Sequence, residues 1–167
     1  LYQEEIQMNW EAISTSAEII GAILVIVSVI YLAQQVRQNT AMARADALRT
    51  IKIELAKQYS EWGLNERASK LLHLMVYEER RRSEFSDADK QSIAFIMLSR
   101  LYLFDAAFRS FQEGILKEAE VLPMMTSRIW KLPFVVDSWP IFAMELSPDF
   151  VAYMENNFDN LVSTRVL

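Results

Sequence analysis

The sequence has no cysteine, and only three glycines, four prolines and one histidine in 167 residues. Without cysteine there is no disulfide, no thiolate nucleophile and no zinc–thiolate site, and nothing marks an oxidising compartment. Three scattered glycines cannot build a phosphate-cradling loop. The His-Glu-x-x-His motif and the paired Glu-x-x-His motifs of di-iron bundles are absent. A Ser-His-Asp arrangement would have His73 as its only conventional base. His73 sits in Leu71-Leu72-His73-Leu74-Met75, with no carboxylate four residues away, and reads as a helix-packing side chain rather than a metal ligand. A net charge of −5 and a pI near 5.0 leave no general basic surface for nucleic acid. Basic residues are also missing from the first 36 positions, a gap that orients the chain below.

What is abundant is helix-forming: Ala, Leu, Met, Glu and Gln dominate, and strand formers cluster only in residues 19 to 30. That cluster, Ile19 to Ala33, reads IIGAILVIVSVIYLA, uncharged, with Ser28 and Tyr31 as its only polar side chains. Such a segment is too apolar on every side for an amphipathic surface helix. Extended to Ala17 and Val36 it reaches 20 residues, which at about 1.5 Å each is roughly 30 Å, the thickness of a bilayer's hydrocarbon layer. A cleaved signal peptide would need a basic n-region, whereas Glu4, Glu5 and Glu11 precede the run. Arg37, Arg44, Arg49 and Lys52 follow it closely, so the positive-inside rule keeps the C-terminal part in the cytoplasm.

The expected organisation is an extracytoplasmic N-terminal segment (1–16), a transmembrane helix (17–36) and a cytoplasmic helical domain (37–167). The fold class is all-α: one transmembrane helix continuing into a long cytoplasmic helix, packed with a small helical bundle. Trp10 and Tyr31 fit interfacial positions, and Glu18 marks the outer membrane edge. Residues 1 to 7 lie before a candidate initiator, Met8, read as an upstream extension or a cloning remnant, and carry no functional reading.

No glycine or proline occurs between Ala22 and Trp62, so the long helix should run to about Trp62 and end at Gly63 in a left-handed cap. Its apolar stripe beyond the membrane is Val36, Ala43, Ala47, Ile51, Leu55, Tyr59 and Trp62. Asn65 caps a second helix to about Arg82, and Ser86 with Asp89 caps a third that stops at Gly114. The run Arg80-Arg81-Arg82, flanked by Glu78, Glu79 and Glu84, reads as a solvated helix end rather than a phosphate or lipid-headgroup site. Ile115 to Lys131 reads as a helix disturbed at Pro123, with Pro133 and Pro140 bracketing an irregular connection. Ser147-Pro148 opens a last helix. Glu113, Glu118 and Glu120 look solvated. Asp105 and Arg109, four apart in an apolar helix, are a candidate buried ion pair.

Three stretches carry a family resemblance. They are Met8-Asn9-Trp10-Glu11-Ala12-Ile13, Ile30 to Thr40 (IYLAQQVRQNT), and Phe104-Asp105-Ala106-Ala107-Phe108-Arg109 leading to Glu113-Gly114. A fainter echo runs from Trp139 through Leu146 to Tyr153. With these the chain resembles a large group of uncharacterised bacterial single-span membrane proteins. That resemblance implies the architecture above and no activity. The expected function is therefore a non-enzymatic, membrane-anchored scaffold or accessory subunit of the bacterial inner membrane, without cofactor or metal. Its partners would be the lipid bilayer and either copies of itself or a larger membrane complex. Ala17, Gly21 and Ser28 form the helix-association face, because small residues allow close approach in lipid. The alternative is a small homo-oligomeric ion channel with Glu18 at the pore mouth.

Overall fold

The computed structural model describes residues 10–161, with side chains from Ile13 onward. The readings that fall on residues 1–7, on Met8 and on the Trp10 side chain lie outside that range. The described residues form six α-helices and no strand: α1 (Trp10–Leu64), α2 (Glu66–Val76), α3 (Asp87–Gln112), α4 (Glu118–Met125), α5 (Pro133–Phe142) and α6 (Pro148–Asn157). Short 3-10 turns occupy Arg82–Glu84 and Arg128–Lys131. The all-α class, with a long N-terminal helix joined to a small bundle, is as the composition predicts.

The chain divides after Met42 into two units. In the first, every residue from Ile13 to Met42 is helical and exposed. Among the described residues two helices are long and apolar enough to cross a membrane, α1 and α3. In α3, Ile93, Met97, Leu101, Phe104 and Phe108 are buried in the bundle core.

The second unit is built around α3, against which α2, α4, α5 and α6 all pack. Trp130, Phe134, Trp139, Phe142 and Phe150 are fully buried around it. The C-terminal part of α1 joins this core through Ile51, Leu55 and, next to them, Ala47. Trp62 of the expected stripe is half-buried. Val36, Ala43 and Tyr59 are exposed instead.

Local caps behave as their sequences suggest. The Ser86 hydroxyl accepts from the Asp89 N–H at 3.2 Å, the Asn65 side chain accepts from the Ala68 N–H at 3.0 Å, and Gly114 ends α3 with φ 73°. Gly63 does not act as a left-handed cap: α1 runs through it to Leu64. Asn65, extended at φ −93°, both ends α1 and starts α2, while its N–H still bonds Glu61 O at 3.1 Å.

Four further expectations are corrected. The second helix stops at Val76, not near Arg82, because Glu79 turns left-handed (φ 51°). The arginine run is then not a helix end. Arg80 pairs with Glu78 at 2.7 Å and Arg81 with Asp137 at 3.3 Å; Arg82 donates its N–H to Asp137 at 3.2 Å and its Nη1 to Ser138 at 3.2 Å. The segment is a clamp from the basic run onto α5. Next, Ile115–Lys131 is no single helix but α4 plus a 3-10 turn, with Pro123 inside α4. Finally, Pro133 and Pro140 bracket a helix rather than an irregular connection. Pro133 at N1 presets its φ, and Pro140 lies inside α5. An interior proline costs about 3 kcal/mol, which the burial of Phe134, Trp139 and Phe142 outweighs at about 1.5–3 kcal/mol each.

Glu113 and Glu118 are exposed as expected, but Glu120 is not simply solvated. Its carboxylate takes Arg44 Nε at 2.9 Å and Nη2 at 2.6 Å, and the Lys117 N–H at 2.8 Å. These bonds hold Glu120 below the usual carboxylate range, hydrogen bonding to Arg44 being the largest cause. The same bond raises Arg44. This bidentate pair joins residues 76 apart and ties α1 to α4.

Candidate functional site

The first candidate surface is the apolar part of α1. Glu18, Ala17, Gly21, Ser28 and Tyr31 are all exposed on it. At separations of four and seven, Ala17, Gly21 and Ser28 lie within about 40° of one another around the helix. A Cβ added to Gly21 meets nothing within 4 Å, so the fold of the single chain does not require glycine there. The Ser28 hydroxyl donates to Leu24 O at 2.7 Å, and that of Thr40 to Val36 O at 3.0 Å. These two hydroxyls thus spend their donors on the helix's own backbone.

The second is the Asp105 joint. Asp105 is 2% exposed and accepts from the Ser147 N–H at 3.0 Å and from the Ser147 hydroxyl. Arg109 Nε stands 3.5 Å away, but its side chain is 59% exposed. The expected pair exists with only its acid buried, so it is not a buried ion pair. Ser147 stands at the N-cap position of α6, yet its side chain caps nothing there and serves Asp105 instead. This arrangement fastens the start of α6 onto the middle of α3.

The third is a cleft of about 470 Å³ between the end of α1, α2, α3 and the Ser127–Leu132 segment. Leu72, Met75, Val76, Met97, Ile129 and Leu132 give it an apolar lining. Arg100, from α3, is its buried charged member, 9% exposed. Its Nε donates to Gln58 Oε1 at 3.2 Å and its Nη1 to Tyr59 Oη at 3.1 Å. The guanidinium carbon lies 4.6 Å from the Tyr59 ring centroid and 4.9 Å from that of Trp62, a two-ring cation–π cradle. Nη2 is buried and has no hydrogen-bond partner. A buried donor left unmade costs about 1–3 kcal/mol. No carboxylate among the described residues pairs with Arg100.

His73 lines the same cleft, and its placement corrects the helix-packing reading: its side chain is 62% exposed, with Glu78 Oε1 3.9 Å from Nε2 and the Tyr77 ring 5.2 Å away. Arg128, also at the cleft, pairs with Glu79.

No family model, curated protein or solved structure matches this chain. Among the described residues there is no group of three or more His, Asp or Glu side chains placed to hold a metal ion. Arg100 escaped sequence reading, although one signal was present. It stands between Met97 and Leu101 on an apolar helix, with Ile96, Met97, Leu103 and Phe104 at the neighbouring helical positions and no acid to pair with it.

Proposed function

We propose that this protein is a single-span, non-enzymatic membrane protein of the bacterial inner membrane, with its N-terminus outside and its helical bundle in the cytoplasm. It acts as an oligomeric scaffold or as the accessory subunit of a membrane complex. The observation that carries this reading is the unbroken exposure of α1 from Ile13 to Met42, across the most apolar stretch of the chain. In water such a surface would drive aggregation, and in lipid it is the expected surface of a span. The distribution of basic residues, none before Arg37, supports the orientation.

Reporter fusions test the topology. A reporter active only in the cytoplasm should give signal after Leu167, and one active only outside should give signal before Met8. The opposite pattern would overturn the orientation.

Association follows from packing, since lipid supplies no hydrophobic drive between helices. Gly21→Ile leaves the single chain unstrained, so a change in assembly reports the helix–helix contact directly. Crosslinking in mild detergent should give an oligomer for the wild type and mainly monomer for Gly21→Ile. Identical species in both would remove Gly21 from the interface, and a monomeric wild type would end the self-association reading.

A further inference from the structure

We infer that the Arg100 cleft is a binding site for a small monocarboxylate with an apolar body. A cationic side chain nine-tenths buried, with one guanidinium nitrogen unpartnered and no acid paired to it, is an unfinished interaction. A carboxylate is the acceptor that completes it best, because the planar guanidinium edge matches two carboxylate oxygens. The charge balance around the cleft sets the ligand's charge at one. Arg128 is already neutralised by Glu79, and His73 lies beside Glu78, so Arg100 supplies the only uncompensated positive charge among the lining residues.

The rest of the ligand follows from the walls. Met75, Met97, Leu72 and Leu132 offer apolar contact, and the volume is within the range of sites for small organic molecules. Nη2 has no solvent contact. A carboxylate reaches it when the side chains around the guanidinium move, and Tyr59, 62% exposed and held by its bond to Nη1 and its edge contact with Trp62, stands among them. The site lies wholly within the bundle, so it stands independently of the membrane reading.

The test is calorimetric titration of the full chain in phosphatidylcholine nanodiscs, with empty nanodiscs subtracted. 4-Phenylbutyrate is the probe and 4-phenylbutan-1-ol its uncharged match. The acid should bind saturably at one site and at least tenfold more tightly than the alcohol, and Arg100→Gln should erase that difference. Equal affinity of acid and alcohol for the wild type overturns the assignment, as does absence of binding by the acid. Should Arg100→Gln fail to fold, the acid–alcohol comparison on the wild type still decides.

Discussion

Replacing Val25 and Val29 together by arginine is expected to move the protein from the membrane to the soluble or aggregated fraction. Ten strongly apolar residues between Ile19 and Leu32 favour insertion by about 0.3–0.6 kcal/mol each, roughly 3–6 kcal/mol together. Each central arginine adds about 2.5–3.5 kcal/mol on the same scale and removes one of the favourable terms. Two of them reverse the sign of the sum. Both positions lie one turn apart on the exposed helix of the first unit, so the change falls on insertion. An alkaline carbonate wash followed by sedimentation and immunoblotting reads the result. Wild-type protein that is itself released by the wash would overturn the span, and a double variant that stays in the pellet as an integral protein would show that other residues anchor the chain.

The second large effect is on the bundle. Asp105→Ala should destabilise it by about 3 kcal/mol, since the change leaves the half-buried Ser147 N–H and hydroxyl without their acceptor and opens a gap between α3 and α6. For a unit of this size that corresponds to a fall of about 10 °C in Tm. Trp130 and Trp139 are fully buried in the same core, so their fluorescence follows bundle unfolding without interference from the helicity of α1. Asp105→Asn, which keeps one acceptor oxygen, should lose about half as much. Unfolding of Asp105→Ala within about 3 °C of wild type would mean that the carboxylate does not secure the start of α6.

The elements that were legible in the sequence depend on neighbours in the chain. Ser86 finds Asp89 three residues on, Gly114 offers its own left-handed backbone, and Pro148 opens a helix by its fixed φ. The elements that were misread depend on distant ones. The left-handed turn that follows α2 falls on Glu79 rather than on a glycine, and Asp137 and Ser138, more than 50 residues away, hold the Arg81-Arg82 segment out of the helix. Pro140 looks like a breaker until the burial of Trp139 and Phe142 is set against its cost.

By itself the sequence determined the helical class, the apolar segment of α1 and the side of it on which the basic residues fall, because composition, periodicity and flanking charge act over a few residues or a single helix. The tertiary structure alone decided that Glu120 answers Arg44, that Asp105 answers Ser147 rather than mainly Arg109, and that Arg100 is buried between Tyr59 and Trp62 with a donor to spare. Those pairings join residues between about 40 and 76 positions apart, and the charge or hydrogen-bond partner of a buried group is set by whichever helix happens to pack over it.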